Sequence, residues 1–414
     1  MIYDVAVAGA GPAGAMAAIR AGSLNKRVVL VERNDRIGKK VLLTGKGRCN
    51  LTNTAGTAAF LEKFGRKGEF LRSAFLAFTN EDLIEFFKSK GLELKAERQG
   101  RVFPVTDSAR SVVEVLERCL AESNVEAVYN ARLANIKKID GIFQLELESG
   151  GKGIEAKRAI LATGGSSYKA TGSAGDGFRL AESLGHNVSP LLPALVPLKT
   201  KETWVKGIQG LSLENVRVTF KYGKKKIASD IGDLIFTHFG VSGPLILDLS
   251  GNVAAALEDH KEVPLFIDMK PGLTDEQLEK RLLGEFKDKK KGSLKNTMKN
   301  LLPQKLVDVF MDLTGLDPQK SVNQITKIER RAVMILLKAL PLTVTGTLPI
   351  EEAMVTAGGV SKKEIDPRTM ESRLVPGLYF AGEIIEGAAS SGGYNLQQAF
   401  STGWLAGEKA ACAK

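Results

Sequence analysis

Cysteine is scarce in this 414-residue sequence: Cys49, Cys119 and Cys412 are the three that occur. An odd number spread so widely excludes a disulfide framework and a CxxC metal knuckle. Histidine is equally scarce, with His186, His238 and His260 far apart, so no metal site is expected. The CxxxxC pair of a disulfide reductase is missing. No run of eighteen apolar residues occurs, so no membrane span and no membrane partner are expected. The opening "MIYDVAVAGAG" has neither a basic leader nor a small-residue cleavage site, and a cytoplasmic location is the expectation. Acidic residues are in deficit, 47 against 58 Lys and Arg, for a net charge of +11. That balance favours polyanionic partners. The excess is concentrated: Arg281 to Lys305, "RLLGEFKDKKKGSLKNTMKNLLPQK", holds eight basic and two acidic residues. Lys224 to Lys226 sit in "KYGKKKIA", which reads as a hairpin tip.

What is present is a large apolar core, at 43% hydrophobic residues, enough for two or three domains. "YDVAVA" reads as a fully buried parallel strand, followed by "GAGPAG" and the helical "AMAAIRAGS". Gly9 permits the tight turn, Gly11 lets a pyrophosphate approach the backbone, and Gly14 lets the helix pack on the strand. The helix N-terminus then faces the phosphates, making Ala10 and Ala13 further cofactor contacts. "RVVLVER" supplies a second strand ending in Glu32 and Arg33. A carboxylate there suits the two hydroxyls of an adenosine ribose and repels a 2′-phosphate, so an adenine dinucleotide other than NADP is expected.

The far end of the sequence narrows the choice to FAD. "PGLYFAGE" reads as a strand ending in Gly382 and Glu383, and "GGYNLQQAFSTGWLAGEKAA" as a glycine pair opening a long helix. Gly393, Asn395 and Leu396 stand at that helix's start, where a dipole end stabilises negative charge on a reduced flavin ring. "RAILATGGSSY" adds a strand ending in Thr163 and Gly164, a crossing point between two domains.

At this point the sequence closely resembles the BaiN-like (YhiN-type) bacterial FAD-dependent oxidoreductases. The resemblance spans nearly the whole length and rests on "AGAGPAG", "GKKVLLTGKGRCNLTN", "GRVFPVTDSARSVVEVL", "LATGG", "FTHFGVSGPLIL", "VTAGGVSKKEIDPRTMESRLVPGLYFAGE" and "GGYNLQQAFSTG". It implies that the "TGKGRCNLTN" loop wraps the flavin side of FAD, with Thr44, Gly45, Gly47, Arg48, Cys49 and Asn50 beside pyrophosphate, ribityl and ring. Arg48 and glycine-exposed N–H groups suit phosphate, and Asn50 suits a ring edge. After "AGE" this sequence departs from many relatives: Glu386, Ala388 and Ala389 stand where two acids and a glycine are usual, on the substrate side of the ring.

The fold class expected is α/β. A Rossmann-type, glutathione-reductase-like FAD-binding domain (1–190 and 350–414) carries an inserted antiparallel, barrel-like β subdomain (191–270 and 335–349), with a helical subdomain (271–334) nested inside it. "NVRVTFKYG" and "VPLFIDM" read as antiparallel strands, and Thr274 as the N-cap of "DEQLEKRLLGEFK". No second GxGxxG is visible, so NADH or NADPH must dock transiently as electron source. Cys49 and His238 are the two catalytic candidates, the thiol as a proton donor weighed against packing and cofactor contact, the imidazole as a substrate-binding group or general acid weighed against capping a turn. Three activities follow from the resemblance: uridine reduction to dihydrouridine in large-subunit ribosomal RNA, reduction of a bile-acid enone, and oxidation of a small amine. Only the first gives the basic face a task, with ribosomal RNA phosphates held by the two lysine-rich segments. A flavin-bearing ribosome-binding factor without turnover is a further alternative.

Overall fold

The computed structural model describes residues 1–150, 153–288 and 292–413. Contacts divide the chain into two units: Met1–Ala194 with Ile350–Lys414, and Leu195–Pro349. Among the described residues no helix is long and apolar enough to cross a membrane.

The first unit grows from the opening strand, Ile2–Ala8, which pairs in parallel with Val28–Val31 on one side and Ile154–Leu161 on the other. Val5, Ala6, Val7, Val29, Leu30, Ile160 and Leu161 have no exposed surface. Residues buried on both faces of a sheet read as an unbroken apolar run, as these do. Glu126–Val128 extends one edge and Leu378–Phe380 pairs in parallel with Ile154–Leu161. The antiparallel strands Ile142–Leu147 and Leu133–Ile139 complete a seven-stranded sheet. The opening helix, Pro12–Ser23, lies on this sheet through alanines, and Ala15, Ala17 and Ala18 are fully buried.

The closing helix, Tyr394–Cys412, packs directly on the opening helix. A side chain at Gly403 would bring its Cβ to 2.2 Å from the Ala13 carbonyl oxygen. Glycine is required there because the two helix backbones touch. An Arg20–Glu408 ion pair of 2.5 Å joins the same helices, with the guanidinium 4.4 Å from the Trp404 ring centre.

In the second unit, Ser212–Tyr222, Gly232–Thr237, Gly240–Ser242, Leu198–Thr200, Leu340–Thr347 and Val263–Asp268 pair antiparallel in that order. Val263–Asp268 pairs again with Ser212–Tyr222, so the sheet closes into a barrel, and Lys225–Ala228 is added at one edge. Closure removes the exposed edges an open sheet would leave. Thr274 caps Asp275–Asp288: its hydroxyl accepts from the Gln277 N–H at 3.3 Å and its own N–H donates to the Gln277 side chain at 3.0 Å. Leu278, Leu282, Leu306, Phe310, Val333 and Leu337 of the helices share one contiguous core with Val218, Phe220 and Leu265 of the barrel.

Candidate active site

The turn after the opening strand is built by contact. Gly9 has φ +97°, and a Cβ on Gly14 would sit 1.8 Å from the Gly9 oxygen, so strand and helix meet backbone to backbone. A Cβ on Gly11 would meet nothing within 4 Å. The opening helix has no side-chain cap and Pro12 in its first turn, so its free N–H groups face open space.

That space is a cleft of about 1280 Å³, its mouth included, lined entirely by first-unit residues. Gly9, Ala10, Gly11 and Ala13 line one part, with Glu32 and Arg33 at the end of the second strand. Thr44, Thr163, Gly164, Glu383, Asn395 and Leu396 line the rest. The closing helix also starts without a side-chain cap, on Gly393 at φ +97°. Two uncapped helix N-termini therefore open on one cleft, which suits electron-rich groups at two points.

Glu32 is 7% exposed and fixed: its carboxylate accepts from the Ala10 N–H at 2.7 Å and from the Asn34 backbone and side-chain N–H groups at 2.9 and 2.7 Å. One further acceptor position remains for a ribose hydroxyl. Glu383 accepts from Lys40 at 2.8 Å and from the Thr356 N–H at 2.7 Å, while Lys40 also donates to Ser167 at 2.6 Å. Arg132 and Arg33 close on Asp176 at 2.6 and 2.8 Å, and Arg132 holds that carboxyl below the usual carboxylate range.

Several buried polar atoms have no partner within the chain: Thr163 Oγ1, Gln398 Nε2, Asn50 Oδ1 and Ser390 Oγ. Buried polar groups are almost always paired, and Thr163 and Gln398 line the cleft. The donor set fits a long cofactor bearing phosphates, hydroxyls and a polar ring. Among the described residues no cluster of His, Cys, Asp or Glu is placed to hold a metal.

Other residues singled out in the sequence stand behind the lining. Gly14 and Gly382 are packing positions, the latter donating its N–H to Thr402 at 2.9 Å. Gly45 and Gly47 lie on an exposed turn at φ +56° and +85°. Arg48 does not face the cleft: its guanidinium is held by Glu97 and Asp107 and lies 4.2 Å from the Phe103 ring centre. Two carboxylates compensate its charge, so Arg48, read in the sequence as a phosphate contact, is engaged within the chain. Cys49 has no exposed surface, and burial pushes its thiol up to about 12. It therefore stays protonated and offers no thiolate near neutral pH. Thr52 and Asn53, further along the loop, tie it to the closing helix: Thr52 donates to Gln397 at 2.6 Å and Asn53 to the Gly392 oxygen at 3.0 Å.

His238 belongs to the second unit, exposed at the tip of the hairpin between Gly232–Thr237 and Gly240–Ser242, its ring 4.9 Å from that of Phe239. Exposed there, it caps no turn among the described residues. Within the basic segment Lys289, Lys290 and Lys291 lie outside the described residues. Sequence reading missed Lys40, Arg132, Asp176 and Gln398. Helical spacing from Asn395 points to Gln398, one turn on, whereas nothing local marks Arg132 or Asp176.

The model of the HI0933-like protein Rossmann domain matches residues 3–409. The chain is 34% identical over 409 residues to a 3-dehydro-bile acid delta(4,6)-reductase of Clostridium scindens, covering 98% of each. It is 31% identical over 413 residues to a ribosomal RNA dihydrouridine synthase of Escherichia coli, covering 100% of this chain and 99% of the relative. Among solved structures, a 3-ketosteroid delta1-dehydrogenase from Sterolibacterium denitrificans aligns over 100% of both chains at 14% identity with a TM-score of 0.53. An open flavocytochrome c3 fumarate reductase aligns over 98% of this chain and 78% of that one, at 16% identity and a TM-score of 0.53. At such identities these two show a shared fold.

Proposed function

The chain belongs to the HI0933-like Rossmann family of FAD-dependent oxidoreductases, and from that premise we propose that it reduces uridine to dihydrouridine in large-subunit ribosomal RNA, drawing electrons from NADH or NADPH. FAD, when bound, supplies a hydride to the electron-poor carbon of a C=C bond conjugated to a carbonyl, as C5=C6 of uracil is to C4=O. The opening helix N-terminus and Gly11 would hold its diphosphate, and Glu32 its ribose. Lys40, Glu383 and the closing helix N-terminus would hold its ribityl and ring ends. Two uncapped helix ends supply positive charge where negative charge must be carried. Uracil C5 also needs a proton; of the two acids read from the sequence, Cys49 is buried and His238 is exposed on the second unit.

The observation that carries the RNA reading is a set of exposed cations, Lys224, Lys226, Arg281, Lys287, Lys299 and Lys305, that have no carboxylate partner among the described residues. Cations neutralised by phosphates release counterions, whereas a small neutral substrate has no use for them. A second reading, reduction of a small conjugated ketone, is favoured by the near full-length similarity to the bile-acid reductase. Mass mapping of dihydrouridine in ribosomal RNA from wild-type and deletion strains separates the two. A modification that disappears with the gene supports RNA reduction. An unchanged map, with purified protein turning over an enone, replaces it with the small-molecule reading. RNA bound while the map is unchanged would make the protein a binding factor.

A further inference from the structure

The barrel of the second unit turns alternate side chains outward, and one outer patch has an unusual make-up. On Ser212–Tyr222, Val216, Val218 and Phe220 are at most 2% exposed and face the core, so Arg217, Thr219 and Lys221 face out. On Val263–Asp268, Val263, Leu265 and Ile267 are fully buried, which turns Pro264, Phe266 and Asp268 outward. Register places Thr219, Phe266 and Pro341 side by side in one row, and Lys221 opposite Lys226 two residues further along. Phe266 is half-buried between Thr219 and Pro341, with the Lys221 ammonium 4.6 Å from its ring centre.

Two features set this patch apart from an ordinary surface. Lys221 and Lys226 stand directly opposite each other across the strand pair, and like charges so placed cost stability unless something negative lies over them. The patch's acid, Asp268, is already neutralised by Lys338 at 2.7 Å, whereas Lys221, Lys226 and Arg217 have no carboxylate partner among the described residues. An aromatic face ringed by uncompensated cations on a β-barrel wall matches the chemistry of an unpaired nucleotide: a flat base with phosphates on either side.

We propose that this outer face is a stacking platform for single-stranded RNA, in which Phe266 takes the face of one base and Lys221, Lys226 and Arg217 hold the adjoining phosphates. The inference rests on the RNA reading above and adds where, and in which strand state, the RNA is held. A paired base hides its faces in the stack, so the platform selects unpaired RNA over duplex.

The test is fluorescence anisotropy of the full flavoprotein with a labelled single-stranded oligoribonucleotide and with the same sequence as a duplex. Phe266→Leu keeps the apolar volume and removes the aromatic face. It should weaken single-strand binding about 10-fold, within the roughly 5- to 150-fold that loss of one stacked base produces. Phe266→Trp should bind as the parent does. The double variant Lys221→Gln/Lys226→Gln should flatten the slope of log K against log salt by about 1.4, at about 0.7 per phosphate. Flavin content, read alongside, should stay at the parental value, and the double lysine variant, relieved of the like-charge pair, should melt no lower than the parent. Parental single-strand binding by Phe266→Leu and by the double lysine variant would overturn the platform while leaving RNA reduction standing. Equal or tighter binding of duplex would overturn it too. The dihydrouridine map of the deletion strain is independent of these arms and decides the RNA reading by itself.

Discussion

Gly11 and Gly14 lie three residues apart in one turn, yet alanine at each should fail in a different way. At Gly14 the new Cβ would lie 1.8 Å from the Gly9 oxygen and 3.3 Å from the Ala162 side chain, so the helix must lift off the strand. Overpacking of a rigid core costs about 1–3 kcal/mol, and overlap with backbone puts Gly14→Ala at about 3 or more. At about 2–4 °C per kcal/mol for a domain of this size, the apoprotein should melt about 6–12 °C lower. At Gly11 the Cβ meets nothing, and φ −72° with ψ −177° is extended backbone that any residue adopts. Gly11→Ala should cost the apoprotein only about 0.5–1 kcal/mol, through the poorer helix cap. Its methyl group occupies the space in front of the free N–H groups. Losing one charge-assisted hydrogen bond there, about 1.5–3 kcal/mol, weakens FAD roughly 10- to 150-fold. The assay pairs apoprotein melting with titration of flavin fluorescence quenching. Gly11→Ala binding FAD with parental affinity would refute the placement of the diphosphate at the opening helix, and Gly14→Ala melting with the parent would refute the contact argument.

Glu383→Gln leaves Lys40 without its counter-charge at a site about one-fifth exposed, and should lower stability by about 1.5–3 kcal/mol and loosen FAD, read by melting temperature and by flavin retained on gel filtration. Unchanged values in both would remove the ion pair from the site. Cys49→Ala should cost about 1 kcal/mol of packing and leave FAD content and dihydrouridine product at parental levels, because the buried thiol lies behind the cleft lining. Product lost with FAD retained would return Cys49 to the chemistry. His186 is 4% exposed and bonded to Ser372 at 2.8 Å, and burial holds its imidazole below the ordinary value. As pH falls through about 6.5 the unfolded chain takes up the proton first, so stability present above that pH is lost in acid. Urea midpoints of the parent should fall more steeply between pH 7.5 and 5.5 than those of His186→Gln; parallel curves would show that His186 does not drive the loss.

The fold was legible where its cause is local. Alternating Val216, Val218 and Phe220 announce a strand with one buried face, and Thr274 before an amphipathic run announces a helix start. The unbroken apolar run of the opening strand, followed by spaced glycines, marks a parallel sheet and its phosphate turn for the same reason. What could not be read depends on partners far along the chain. Arg48 looked free for phosphate because its carboxylates, Glu97 and Asp107, are 49 and 59 residues away. Lys40 looked ordinary because Glu383 is 343 residues away. Burial of the Cys49 thiol has no local signature, since its loop is rich in glycine and polar residues and owes its depth to the strands and helix it packs against.

The contact between Gly403 and the Ala13 backbone has a consequence for biosynthesis. A nascent chain still lacking Tyr394–Cys412 lacks the part of the cleft wall made by Asn395, Leu396, Gln398 and Ala399, and its opening helix is bare along one side. The cleft is therefore complete only once those last turns have been added. Until then the opening helix exposes the apolar side that the closing helix covers.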